Sequence, residues 1–190
     1  TEPEIDYACR EGRTYKDFLA YMEKNSEANV VELDTVHGAR TKGSVMMTML
    51  LRNTSLMLIF LMPDCTQASV KAVFDQLTDK LGMEEFRKCF PVILTDNGQE
   101  RTRIFYCDPL ASWQKAKLEK NHEYIRRVLA KGQSLEGYTQ KDMTLLANHI
   151  NSTARSSLNN RTPFELAELL NSEKLLKVLG LKKIEHDKVV

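Results

Sequence analysis

The chain has 190 residues, 42% hydrophobic and 28% charged, enough for one buried core with a helical appendage and unlike a disordered or fibrous sequence. A net charge of +1 excludes a uniformly basic nucleic-acid coat, but the charge is uneven. Residues 101–161 carry eleven Lys/Arg against five Asp/Glu, an excess of +6, which leaves 16 basic and 21 acidic residues, or −5, elsewhere. An anionic partner would therefore be met by the second half of the chain. Cys9, Cys65, Cys89 and Cys107 are scattered, with no C-x-x-C pair, which argues against a zinc site or disulfide framework and fits a reducing cytosol. The apolar run from Val45 to Met62 is interrupted by Arg52, Asn53, Thr54 and Ser55, so it is too short on either side to span a membrane, and no signal peptide opens the chain.

In chain order, Thr14 is placed to cap a first helix whose Tyr15, Phe18, Leu19 and Met22 share a side. The start lacks an initiator methionine, and we read the sequence as a fragment whose upstream portion is missing. "VVELDTV" predicts a strand from Val30 to Val36. After the turn "HGARTKG", "SVMMTMLL" and "TSLMLIFLM" predict two more strands joined by a tight "RN" connection. Such unbroken apolar runs imply strands covered on both faces. Thr66 begins a helix that Gly82 ends, and "MEEFRKCF" adds a short helical piece before Pro91. "PVILTDNGQE" is a four-residue strand ending in Asp96-Asn97-Gly98, and Arg103 to Asp108 is a fifth strand. Ser112 is expected to cap one long helix running through Lys115 to Lys131. Three further helices follow, the first capped near Thr139. This order suggests a mixed five-stranded α/β sheet with helices on both faces.

Three acids draw attention. Asp34 lies mid-strand, where a carboxylate needs a partner or a metal, and an edge-strand aspartate capped by a neighbour is an equally good reading. Asp96 ends a strand, a usual place for an active site in open α/β sheets, although D-N-G is also an ordinary turn signal. Glu119 lies on the long helix. At about 100° per residue, Leu118, Ile125, Val128 and Leu129 share one side, while Lys115, Glu119, His122, Glu123 and Arg126 share an exposed arc. Alone, that arc reads as a solvated face with ordinary ion pairs. Three acids brought together from separate elements would repel one another unless a hard divalent cation joined them. Trp113 offers either a stacking surface for a splayed base or, as the better expectation, a buried indole at a helix start.

The segments "GRTYKDFLAYME", "VELDTVHG", "FPVILTDNGQE", "FYCDPLASWQKAKLEKNHEYIRRVLAKG" and "LNNRTPFEL" resemble, in order and over nearly the whole chain, the catalytic core of IS30-family insertion-sequence transposases. That family lies in the retroviral-integrase-like branch of the ribonuclease H-like fold. The resemblance places its D-D-E triad on Asp34, Asp96 and Glu119 as catalytic residues and metal ligands. Asn97 and Gly98 match the "DNG" of the second site, and Asn121 and His122 match the polar positions just past the glutamate. It implies two Mg²⁺ ions, replaceable by Mn²⁺, one held by Asp34 and Asp96 and the other by Asp34 and Glu119. Lys115, Lys117, Lys120, Arg126 and Arg127 are the expected contacts to phosphates of double-stranded DNA. The resemblance implies a bacterial cytoplasmic protein, nucleoid-associated when bound to DNA, that assembles as a homo-oligomer on element ends. Residues 1–29 then read as a linker from a missing recognition region, 30–135 as the catalytic core and 136–190 as a C-terminal helical extension. A silent relative that only binds DNA or partner subunits is the alternative. The 22 residues between Asp96 and Glu119 are fewer than the family pattern implies, and we expect a surface loop to be missing there.

Overall fold

The computed structural model of the chain describes residues 10–38, 43–96 and 103–188. Five strands form one sheet in the order β3-β2-β1-β4-β5: β1 (Val30–His37), β2 (Val45–Leu51), β3 (Leu56–Met62), β4 (Val92–Thr95) and β5 (Arg103–Tyr106). The first three are an antiparallel meander, and β4 and β5 run parallel to β1. The mixed sheet expected from the sequence is therefore present. Seven α-helices accompany it among the described residues: α1 (Tyr15–Lys24), α2 (Gln67–Leu81), α3 (Met83–Cys89), α4 (Ala116–Val128), α5 (Gln140–Asn151), α6 (Pro163–Leu170) and α7 (Glu173–Val178).

Local chemistry explains most of these boundaries. Thr14 and Thr139 close capping boxes with Asp17 and Asp142, and the Thr66 side chain accepts from Ser69 N. Gly82 ends α2 at φ 81°, a left-handed backbone that glycine adopts without a Cβ penalty. The β2–β3 connection is longer than the predicted two residues. Thr54 leaves the strand because its hydroxyl donates to Asn171 Oδ1 (2.9 Å) and accepts from Leu56 N (3.3 Å).

Alternation along β1 sorts the core. Val31 and Leu33 share a buried cluster with Ile93, Ile104 and Tyr106, and with Phe74, Phe86 and Phe90 from α2, α3 and the residue after it. Val30, Glu32 and Asp34 point to the opposite face. There α4 lies against β1 and β2, and α1 packs Phe18 against Phe105 at 5.7 Å between ring centroids. Helix α5 seals the β3 edge with two amides. Asn151 bonds Met57 N and O, and Gln140 bonds Leu61 N and Ile59 O, each at 2.8 Å. An open ladder that would invite another strand is thereby closed.

The long helix differs from its expectation. Residues Ser112–Lys115 form a 3₁₀ turn, and α-helical geometry begins only at Ala116. Among the described residues Ser112 caps neither the turn nor the helix. Gln114 instead bonds Asp108, its Oε1 accepting from Asp108 N (2.8 Å) and its Nε2 donating to Asp108 Oδ2 (2.7 Å). These bonds fold the chain tightly after β5.

Candidate active site

Strand register brings the first two acids together. β1 and β4 are parallel, with Leu33 opposite Thr95 in the last paired rung, so Asp34 and Asp96 leave neighbouring strands side by side. A cation lies between them. Lys115 Nζ is 2.7 Å from Asp96 Oδ2, 3.4 Å from Asp34 Oδ1 and 3.3 Å from Leu33 O. The Lys115 side chain is only 1% exposed, against 24% for Asp34 and 58% for Asp96. Burial alone would lower the lysine pKa, but the charges of Asp34 and Asp96 outweigh it and raise it, so the ammonium stays charged. The Arg10 guanidinium donates to the Asp96 carbonyl at 2.9 Å and holds that strand end.

Lys115 therefore corrects the sequence expectation. Its place before the α-helix turns it inward, and its ammonium lies buried beside two carboxylates instead of on the exposed arc. Lys117, Lys120, Arg126 and Arg127 are exposed on α4, as an outward cationic face requires. Lys117 Nζ donates to Arg52 O at 3.3 Å, and Arg127 lies over the Tyr124 ring at 4.8 Å. Trp113 is 67% exposed rather than buried, its ring edge-on to Tyr15.

Glu119 stands on the first turn of α4, exposed, with Asp34 as the acid that most influences it. Its carboxyl is pushed above the ordinary range, first by desolvation and then by the Asp34 charge, while Lys115 pulls the other way. Asp34 and Glu119 both line a cavity of about 230 Å³, together with His37, His122 and Arg126. Gly38 forms part of its wall. A Cβ there would stand 2.6 Å from Gln133 O and 2.9 Å from Leu135 Cγ, so only glycine lets the segment after α4 close onto the end of β1.

The flanking polar residues serve as supports. The Thr48 hydroxyl donates to Asp34 O at 3.2 Å and lies 2.9 Å from His122 Nε2. With that hydroxyl proton given to the carbonyl, Nε2–H is the donor in the second bond. His122 is buried, and burial, opposed by the Asp34 charge, lowers its pKa below the ordinary imidazole value, so the ring is neutral at neutral pH. Asn121 is buried too, and its Oδ1 accepts from Arg155. Asn97 and Gly98 lie outside the described residues, as does the short segment expected to lack a loop. Burial, then the Asp96 charge, pushes the Cys107 thiol up to about 12, away from the thiolate form.

Sequence reasoning missed Glu32. Its carboxylate is 1% exposed, with Oε1 at 2.6 Å from Arg52 Nε and Oε2 accepting from Leu118 N at 2.7 Å. Neither Ala111 nor Lys115 supplies a side-chain cap to the turn or the helix. Glu32 is therefore the N-terminal cap of α4, delivered from the sheet. Arg52 also bonds Gln114 O at 3.1 Å, which ties the 3₁₀ turn to the same point. The residue after Leu118 is Glu119, so this buried pair fixes where the third acid stands. Alternation along "VELDTV" put Glu32 on the face of Asp34, and that was the available signal.

The donor set suits a hard divalent cation, since all three acids offer carboxylate oxygen. The paired aspartates already gather one compact cation, and Glu119 is penalised for ionising beside Asp34. Among the described residues, no three acids, histidines or cysteines are gathered closely enough to hold one ion together.

No protein-family profile matches the chain. Over 151 residues, 73% of this chain and 43% of the relative, it is 28% identical to the transposase for insertion sequence element IS1086 from Cupriavidus metallidurans. It is 31% identical over 150 residues, 72% of this chain, to the transposase InsI for insertion sequence element IS30C from Escherichia coli, of which it covers 37%. The chain thus spans well under half the length of the curated relatives it matches. Among solved structures, the catalytic core domain of BIV integrase is similar at 18% identity and a TM-score of 0.49, over 73% of this chain and 93% of that one.

Proposed function

The chain is a relative of the IS30 group of insertion-sequence transposases, and from that premise we propose that it carries a metal-dependent centre for DNA strand cleavage and strand transfer. The observation that supports this most is the side-by-side placement of Asp34 and Asp96 around a shared cation, with Glu119 near enough to feel the Asp34 charge. When bound, Mg²⁺ or Mn²⁺ supplies Lewis acidity for in-line attack on a phosphodiester.

In this reading Asp34 and Asp96 hold one ion, and Asp34 and Glu119 hold the other. The Thr48 hydroxyl, itself bonded to His122, holds the Asp34 carbonyl, and Glu32 fixes the helix that carries Glu119. Lys117, Lys120, Arg126 and Arg127 contact backbone phosphates, giving salt-dependent affinity without base readout. Asn97, next to Asp96 in sequence, and Asn121 support the ligands. Joining two element ends calls for a homo-oligomer on DNA, in a bacterial cytoplasm. Among the described residues no helix is long and apolar enough to cross a membrane.

A silent relative that only binds DNA is favoured by one feature, the Lys115 ammonium that already partly neutralises the two aspartates. Strand transfer separates the readings. A pre-cleaved element-end oligonucleotide is incubated with supercoiled plasmid, Mn²⁺ and high protein at low salt, beside Glu119→Gln. Joined product that vanishes in the variant supports the enzyme. Nicking without joining points to a nuclease, and salt-sensitive binding without product points to the silent relative.

A further inference from the structure

We propose that Lys115 is a resident counter-ion of the aspartate cradle, which a divalent cation must displace, so that this lysine sets how tightly the site takes metal. The proposal rests on reading Asp34 and Asp96 as metal ligands.

A long cationic side chain is rarely buried unless its head is fully partnered. Here the ammonium donates to Asp96 Oδ2 (2.7 Å) and Leu33 O (3.3 Å) and forms an ion pair with Asp34 Oδ1 at 3.4 Å. These oxygens come from two adjacent strand ends, and one is a backbone carbonyl that cannot turn away. A small divalent ion takes carboxylate oxygens at roughly 2.0–2.1 Å. With Asp96 Oδ2 already 2.7 Å from Nζ, a second cation on that oxygen would stand close enough to the ammonium to be repelled by it.

The backbone makes the placement specific. Lys115 ends the 3₁₀ turn at φ −118° and ψ 38°, outside α geometry, and that break aims it at the sheet. Gln114, with its side chain on Asp108 and its carbonyl on Arg52, fixes the turn just before it. The metal-free cradle is therefore partly neutralised from within. Metal entry exchanges one cation for another instead of filling a bare anionic site.

Calorimetric titration of MnCl₂ into the chain, into Lys115→Met and into Asp34→Asn tests this. Methionine keeps much of the length of the side chain and removes its charge. Lys115→Met is expected to bind Mn²⁺ at least about tenfold more tightly than the unsubstituted chain. Saturating Mn²⁺ should also raise its unfolding temperature by more. Equal or weaker Mn²⁺ binding in Lys115→Met overturns the proposal while leaving the metal site standing. Binding that is absent from the unsubstituted chain and Lys115→Met alike, or that survives in Asp34→Asn, removes Asp34 as a ligand and overturns the functional reading along with it.

A second measurement needs no variant. The Lys115 ammonium protons should exchange slowly with water in the metal-free protein and quickly at saturating Mg²⁺, followed by NMR. Protection unchanged by Mg²⁺ overturns the proposal even if Lys115→Met does not fold.

Discussion

Glu32 and Asp34 leave the same face of β1 two residues apart, yet their surroundings give them different work. Glu32 is sealed, and each of its oxygens has one permanent partner, the Arg52 guanidinium and the Leu118 amide. Asp34 is partly open. Its Oδ1 accepts from Thr35 N at 2.8 Å, its carbonyl is held by Thr48, and the cation beside it lies 3.4 Å away. Carboxylates on one strand are thus sorted by whether their partners can exchange. A buried pair is architecture, and a partly exposed acid beside a single ammonium is, in the proposed reading, available for chemistry.

Removing an acid on the open side should cost activity without stability. Glu119→Gln is expected to reduce strand transfer roughly a thousandfold or more, read as joined product. Its unfolding midpoint should hold or rise. The Glu119 pKa is raised above its ordinary 4.5, so its contribution to stability is present below that value and is lost as pH rises through the folded value. At neutral pH the metal-free protein carries a penalty that the neutral amide lifts. Breaking the sealed side should do the reverse. Glu32→Ala strands Arg52 and uncaps α4, at a cost of about 3 kcal/mol in urea unfolding. Adding Arg52→Met should recover part of that loss.

Gly38→Ala sharpens the contrast at the cavity wall. The added methyl meets a backbone oxygen at 2.6 Å, and a loss of about 1–3 kcal/mol is expected, with weaker joining as the segment after α4 shifts. The smallest effect concerns pH. His122 has a lowered pKa, so its contribution is present above the ordinary value of 6.5 and is lost as pH falls through the folded value. His122→Asn should flatten the fall in unfolding midpoint between about pH 7 and 5.

Much of this architecture is local in origin and therefore readable. The apolar runs of β2 and β3 and the caps at Thr14, Thr66 and Thr139 each announce an element within a few residues. The break at Lys115 does not announce itself, because helical periodicity runs unbroken from Lys115 to Leu129. Its cause is the Glu32 carboxylate, 86 residues from Leu118 along the chain. A helical wheel drawn through that break puts Lys115 on the outer arc with Arg126, where the folded chain buries it. The exposure of Trp113 is hidden from the sequence for the same reason, since a 3₁₀ turn presents it outward. Asp34 on spacing alone was evenly balanced between edge aspartate and ligand. What sets it beside Asp96 is the parallel register of β1 and β4, a pairing between distant segments.

The claim that these aspartates are metal ligands is tested most directly at Asp96, whose open side chain tolerates a change of donor atom. Strand transfer by Asp96→Cys should be measured with Mg²⁺ and again with Mn²⁺, which accepts a thiolate more readily than the harder ion does. The account predicts no joined product with Mg²⁺ and recovered product with Mn²⁺. Undiminished joining with Mg²⁺, or none with either ion from a folded protein that still binds DNA, would contradict it.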